Sequence, residues 1–258
     1  GGPLTLAGGT VNFNGATTNL GTNNVLLSGA TVNFGDNAAD TITWSGGSTN
    51  TFKLSGGTLD GLGAINLNGG PTVFAWSGGA MQGTGTLATD AFMTSNVTGT
   101  LLTLSRPWTN SGTVNLLASA NSTLSGTGTF TNQGKGTVNV APGPGNSTTI
   151  SVTNFTNDAT VNVNSGTLAL AGTGTVTDAG AYQLADNSTL SLQAGSRTLN
   201  GTVGLQTGPG TGTTVAVAGA TVALGKAAAQ RLLAAGFQVR GWSRTPRQMD
   251  GVQCHAGD

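Results

Sequence analysis

Apolar and polar residues alternate along most of this chain, and the alternation comes in copies. Thr10-Val11-Asn12-Phe13 returns as Thr31-Val32-Asn33-Phe34, Thr113-Val114-Asn115-Leu116, Thr137-Val138-Asn139-Val140 and Thr160-Val161-Asn162-Val163. Successive side chains of a strand point to opposite faces, so each copy reads as a short strand with Val and Phe, Leu or Val on one side and Thr and Asn on the other. Gly, Asn, Ser and Asp bound these segments, as turns require. Subtracting residue numbers gives steps of 21, 24 and 23 between close copies, and 82, about four such steps, between Thr31 and Thr113.

Two further motifs share that period. Leu59-Asp60-Gly61-Leu62-Gly63 recurs as Met81-Gln82-Gly83-Thr84-Gly85, Leu124-Ser125-Gly126-Thr127-Gly128 and Leu170-Ala171-Gly172-Thr173-Gly174. Trp44-Ser45-Gly46-Gly47, Leu54-Ser55-Gly56-Gly57 and Trp76-Ser77-Gly78-Gly79 form the third set. A repeat of about 22 residues holds two or three strands and cannot bury its apolar face alone, so neighbouring copies must stack. The expected fold is all-β: a right-handed parallel β-helix, or β-solenoid, of about ten rungs over residues 1–225, with a short C-terminal α-β tail over 226–258. Its interior is expected to be aliphatic and its exterior lined with Thr, Ser and Asn ladders. The alternatives are a low-complexity disordered chain and an antiparallel sandwich or barrel. Disorder fits poorly with periodic apolar positions, and an antiparallel fold does not call for copies in register.

Composition narrows the function. The chain has 258 residues, 44 Gly, a charged fraction of 7% and nine Lys+Arg against nine Asp+Glu. With no basic face, electrostatic binding to nucleic acid is disfavoured. No apolar run approaches the length needed to span a bilayer. No signal peptide is visible, and the chain starts inside repeat-like text, which reads as a fragment or a processed product. Cys254 is the single cysteine, so no internal disulfide forms.

The text changes at about Gly225. Residues 1–224 carry only Lys53, Arg106, Lys135 and Arg197 as basic residues, whereas the tail carries Lys226, Arg231, Arg240, Arg244 and Arg247. Residues 226–235 are strong helix formers and Gly236 suits a helix stop; Phe237–Trp242 reads as a strand. Leu224-Gly225-Lys226-Ala227-Ala228-Ala229-Gln230-Arg231-Leu232, followed by Gly236-Phe237-Gln238-Val239-Arg240-Gly241-Trp242-Ser243-Arg244-Thr245, resembles the cofactor domain of D-2-hydroxyacid dehydrogenases of the glyoxylate/hydroxypyruvate reductase type. That resemblance implies that Gly225 is the last glycine of a nucleotide loop, with Ser243 and Arg244 beside the ribose of NADP. The loop's other two glycines fall on Ala220 and Val222, which do not permit its tight turn. The family's catalytic Arg, Glu and His have no matching positions. Val215–Gly225 also tracks Val25–Gly35 position by position, so the would-be loop is repeat text. Two readings follow: a join between unrelated sequences, or a native C-terminal cap blunting an exposed edge.

Candidate chemistry is sparse. A polysaccharide-cleaving β-helix needs carboxylates clustered on one face. Asp36, Asp40, Asp60, Asp90, Asp158, Asp178 and Asp186 are scattered and read as solvated turn residues; Asp158 with Asp178, or Asp36 with Asp60, are the pairs that such an enzyme would bring together. His255 beside Cys254 is neither a zinc site nor a nucleophile–base pair. Calcium-binding Gly-Gly-x-Gly-x-Asp repeats are absent, so no metal and no cofactor is expected. Trp44, Trp76, Trp108 and Trp242 are sugar platforms only if exposed; the equivalence of Trp44, Trp76 and Leu54 in the repeat favours core packing. Outward Thr rows suggest an ice-binding face, although the outward pair is Thr-x-Asn.

The Gly/Thr/Asn/Val strand copies of residues 1–225 resemble the passenger repeats of bacterial autotransporters and filamentous-haemagglutinin-type adhesins. The resemblance implies secretion to the cell surface, a structural or adhesive rod without an active site, and a host-surface or glycan ligand. Self-association through exposed rung edges is the other expected contact. A polysaccharide-binding or polysaccharide-cleaving β-helix, an ice-binding solenoid and an NADP-dependent reductase fragment are the alternatives.

Overall fold

The computed structural model describes residues 2–206, 213–217, 234, 238–243 and 253–256. It is a parallel β-solenoid, and its strands fall into three columns that each turn of the chain visits in order. The first sheet runs from Leu4–Leu6 through Val25–Leu27, Thr94–Val97, Thr113–Leu116, Thr137–Val140 and Thr160–Val163 to Ala181–Leu184 and Val203–Leu205. The second runs from Thr10–Phe13 and Thr31–Phe34 to Thr167–Leu170, Thr189–Leu192 and Thr214–Val217. The third carries Thr17–Asn19, Thr41–Gly46, Ala64–Gly69, Leu87–Thr89 and Trp108–Asn110. Four longer strands, Thr51–Asp60, Val73–Met81, Ser122–Asn132 and Ser147–Asn157, each bend across a corner and serve two sheets.

Alternation decides what goes inside. In Thr113–Leu116, Thr137–Val140 and Thr160–Val163 the Val and Leu side chains are buried while Thr and Asn stand half-exposed outside. Stacking turns this into columns, and the aromatic residues form one of them. Trp44, Phe52, Phe74, Trp108, Phe130 and Phe155 touch in sequence, with ring centroids 4.5 to 6.1 Å apart. All are buried. Edge-to-face and offset pairs of this kind add to the free energy of simple burial. Corners close tightly on backbone. At Gly61 (φ 111°) a Cβ would lie 2.2 Å from the Phe34 carbonyl oxygen, so no other residue fits.

Register differs from what the motifs alone suggest. Thr10–Phe13 and Thr31–Phe34 are in the second sheet, but their copies at Thr113, Thr137 and Thr160 are in the first. Trp44 is in the third sheet opposite Leu67, whereas Trp76 is in the first, opposite Leu54. The Leu-x-Gly motif also slips: Met81 pairs with Leu104, but Leu124 pairs with Leu102, two residues earlier. Up to Val217, turns vary from 19 residues (Thr94 to Thr113) to 27 (Val25 to Phe52). The strand–turn unit is therefore portable among sheets, because each sheet asks only for an inward apolar and an outward polar residue.

At the C-terminal end, the strand expected over Phe237–Trp242 is found as Gln238–Ser243. It pairs in parallel with Thr214–Val217, extending the second sheet, and Gln253–Ala256 pairs with it in turn. Both tail strands are parallel to the stack, each in register over four positions. Of the helix expected over 226–235, only Ala234 lies among the described residues.

The third sheet contains one break. Asn154–Asn157, the end of the long strand Ser147–Asn157, does not pair with Thr175–Asp178 above it. Thr175–Asp178 pairs only with Ser196–Leu199, as a separate two-stranded sheet. The other two sheets are continuous at this level.

Phe130 and Thr131 make a direct test of inside against outside. Phe130→Ala is expected to cost about 3–5 kcal/mol for the lost burial and the cavity, and Thr131→Ala no more than about 0.5 kcal/mol. Urea midpoints of the two variants measure this, and equal shifts would contradict the assigned faces.

Candidate functional site

Two kinds of polar array run along the solenoid, one outside and one inside. Outside, on the first sheet, Asn115 donates to Asn96, Asn139 to Asn115 and Asn162 to Asn139, each through Nδ2 to Oδ1 at 2.9 Å. The same bond joins Asn33 to Asn12 on the second sheet, at 2.7 Å. Parallel pairing at about 4.8 Å puts identical amides within reach of each other. A row of Thr94, Thr113, Thr137 and Thr160 runs beside the longer ladder. Neither row contains a charge; on the same outward column the exposed Lys53 stands two turns before Asn96, beyond Ala75.

Inside, the third sheet carries a second ladder at its exit corner. Asn110 Nδ2 donates to Asn132 Oδ1 and Asn132 Nδ2 to Asn157 Oδ1, both at 2.9 Å. Thr89 Oγ1 donates to Asn110 Oδ1 at 3.0 Å. All four residues are buried. Their remaining atoms serve backbone: Asn110 accepts from Gly112 N, and Asn157 Nδ2 donates to the Ala181 carbonyl at 3.0 Å. A buried amide without these partners would be costly. The inner ladder went unread in the sequence, yet it leaves a signal. Trp108-Thr109-Asn110, Phe130-Thr131-Asn132 and Phe155-Thr156-Asn157 share an aromatic-Thr-Asn pattern, which puts Asn on the aromatic's face.

The inner ladder ends on a charged cluster at the break in the third sheet. Asp178 is in the ladder's column and fully buried. Its Oδ1 accepts from the Asn157 backbone N–H at 2.8 Å, and its Oδ2 accepts from Tyr182 Oη at 2.9 Å and forms an ion pair with Arg197 Nη1. Arg197 Nη2 donates to the Phe155 carbonyl at 2.8 Å, and its guanidinium lies 5.9 Å from the Phe155 ring centroid, ending the aromatic column on a cation. Side chains thus supply the partners that a paired strand would have supplied to Phe155 and Asn157. Burial first, and the Asp178 carboxylate next, push the Tyr182 phenol well above its ordinary value.

A second buried cation is Arg106, in the corner between the second and third sheets. Nε donates to the Gly85 carbonyl at 2.8 Å and Nη2 to the Gly63 carbonyl at 3.1 Å, so it ties together three turns. Burial lowers its pKa to about 10, partly offset by Asp60. It remains a cation at neutral pH.

The carboxylates expected in turns divide into two groups. Asp36, Asp158 and Asp186 are exposed. Asp60 and Asp90 organise backbone: Asp60 accepts from Gly61 N at 2.7 Å, and Asp90 from Gly69 N, Phe92 N and Met93 N. Asp40 and Asp178 correct the solvated-turn reading. Asp40 is 6% exposed and accepts from Asp36 N and Asn37 N, while Asp178 is fully inside. Asp158 and Asp178 do sit on adjacent turns, as their spacing suggested, with Asp158 accepting from Ala179 N at 3.4 Å. One faces solvent and the other the interior, so they line no common cleft. Among the described residues no group of three His, Cys, Asp or Glu side chains is placed to hold a metal.

Trp44, Trp76 and Trp108 are buried and offer no sugar platform. Only the backbone of Trp242, Ser243, Cys254 and His255 is described, in the two tail strands. Gly225 and Arg244 lie outside the described residues.

Comparison with known proteins yields little over the solenoid. No protein-family profile matches the chain. No solved structure matches it either. Two curated proteins share a short stretch: glyoxylate/hydroxypyruvate reductase A of Serratia proteamaculans, 59% identical over 44 residues, and its namesake of Yersinia enterocolitica, 54% identical over 44 residues. Each match covers 17% of this chain, and the chain spans about one seventh (14%) of either relative. The tail beginning at Gly225 resembles this same reductase type.

Tyr182 is the chain's single tyrosine, so absorbance at 295 nm reports on it alone. The phenolate is expected well above pH 10 in the folded protein and near pH 10 in urea. Because the folded pKa is raised, the unfolded state loses this proton first. Its contribution to stability is complete below pH 10 and declines as pH rises through the folded value. A folded-state titration at the ordinary value would place Tyr182 in water.

Proposed function

We propose that the solenoid is a structural or adhesive rod of a secreted bacterial cell-surface protein, resembling autotransporter and filamentous-haemagglutinin-type passengers. One observation carries the reading: in-register ladders over a filled interior, with exterior rows of uncharged Thr and Asn side chains. Ten strands stacked at about 4.8 Å make a column of roughly 45–50 Å. Between Val97, Leu102, Leu116 and Leu124 a partly open apolar cavity of about 10 Å³ has room for one water at most. A solid, self-paired column transmits length and stiffness, and its outer rows supply hydrogen bonds for a host surface or a glycan.

Catalysis is not part of this reading. Of the two carboxylate pairs that a polysaccharide-cleaving β-helix would use, Asp158 and Asp178 are split by burial, and in the other Asp60 is held by the Gly61 N–H while Asp36 is exposed. The short reductase likeness covers too little of a reductase to carry that enzyme's activity to this chain.

Brief protease treatment of intact source cells, with mass spectrometry of the released peptides, tests the location. Peptides from residues 2–206 are expected in the released fraction while a cytoplasmic marker stays inside. Recovery of those peptides only after lysis would overturn the surface reading. Loss of polysaccharide cleavage on Asp158→Asn, were such cleavage found, would overturn the non-catalytic one.

A further inference from the structure

The stack is not equally strong along its length. Separating residues up to 174 from those beyond requires breaking two ladders, Thr160–Val163 with Ala181–Leu184 and Thr167–Leu170 with Thr189–Leu192, each of four paired positions. The third sheet adds no ladder there, because Asn154–Asn157 and Thr175–Asp178 are unpaired. About one turn earlier, a cut between Val140 and Ser147 meets Thr137–Val140 paired with Thr160–Val163 over four positions and Ser122–Asn132 paired with Ser147–Asn157 over nine, the latter serving both remaining sheets. Regions with fewer buried ladder bonds open at lower free energy than their surroundings.

Backbone bonds cross at either end of the break, Gly174 N–H to the Thr153 carbonyl at 3.0 Å and Gly180 N–H to the Asn157 carbonyl at 2.8 Å, and Asn157 Nδ2 reaches the Ala181 carbonyl; between them the gap is spanned by a group of side chains. Asp178, Tyr182 and Arg197 all belong to the C-terminal side, where the ion pair and the Tyr182 hydrogen bond fix them relative to one another. From there, two bonds reach the N-terminal side: Asn157 N–H to Asp178 Oδ1, and Arg197 Nη2 to the Phe155 carbonyl. Both charges are almost wholly buried, with side-chain exposures of 6% for Arg197 and 1% for Asp178. Removing one partner of such a pair leaves an uncompensated charge in the interior, which is far worse than losing a surface bond.

We propose that Asp178, Arg197 and Tyr182 form a preassembled latch across the gap in the third sheet, and that the described strands from Thr175 onward open and close as a unit distinct from the solenoid below. The latch plugs onto Phe155 and Asn157, the last residues of the inner aromatic and asparagine columns. A rod under tension or proteolysis would therefore yield first at this level, while residues 94–157 stay folded. The inference does not depend on where the rod is displayed or on what it binds.

Native-state hydrogen exchange on the full chain, read by mass spectrometry at increasing urea, tests it. In the unaltered protein, amides of Ala181–Leu184 and Thr189–Leu192 are expected to lose protection together, at lower urea than those of Thr113–Leu116 and Thr137–Val140. Arg197→Met is expected to raise exchange of the first pair more than tenfold and to leave the second pair within twofold. Tyr182→Phe removes one bond inside the latch and should act on the same strands by a smaller factor, which keeps the test decisive if Arg197→Met does not fold. Loss of protection in all four strands at one urea concentration would overturn the separate unit. Unchanged exchange in Ala181–Leu184 in both variants would overturn the latch.

Discussion

Everything in this molecule follows from one requirement, that each turn hydrogen-bond in parallel and in register to the turns above and below it. A strand of three or four residues has no stability alone, and its backbone groups are satisfied only by its neighbours. Once the ladders are set, like residues stack at a spacing that rewards repetition. Aromatic rings meet aromatic rings from Trp44 to Phe155, and asparagine amides meet asparagine amides both outside and inside. The glycines at corners such as Gly61 are the steric counterpart, since the next turn's backbone passes too close for a Cβ.

The same requirement explains where charge is admitted. Among the described residues, buried charges are admitted to the solenoid only at corners and at the break, and there they take up backbone duties. Arg106 supplies donors to two glycine carbonyls on successive turns; Asp178 and Arg197 supply an acceptor and a donor to Asn157 and Phe155, where the ladder fails. A buried ion pair is weak evidence of net stability, because desolvation offsets attraction. Its value here is geometric: it completes the hydrogen bonding of a sheet that has lost a strand pairing.

In the proposed rod, rigidity and recognition are carried by different parts of the solenoid. The interior provides the first through ladders and the packing of the aromatic and aliphatic columns. The exterior presents uncharged Thr and Asn rows, with the few exposed carboxylates far apart. Extended contact with a partner is what the proposed rod reading asks of such a surface.

Much of this was legible in the sequence. Alternation in Thr113–Leu116 and its copies marked the strand type and the inward residues, and a period near 22 in an all-strand pattern pointed to stacked turns paired in parallel. Buried Trp44, Trp76 and Trp108 and the outer Asn96–Asn162 ladder follow from the same pattern. The phase of the copies did not: one strand–turn unit satisfies any of the three sheets, so Thr31–Phe34 and Thr113–Leu116 could share a sequence and sit on different faces. Nor did the side of Asp40 and Asp178, since a carboxylate in a turn looks the same whether it meets water or an unpaired N–H. That choice belongs to the tertiary structure, where the neighbouring turn decides which backbone groups are left to satisfy. The inner asparagines and the Asp178–Arg197 pair, 19 residues apart in sequence, become partners only after stacking has brought one turn over another.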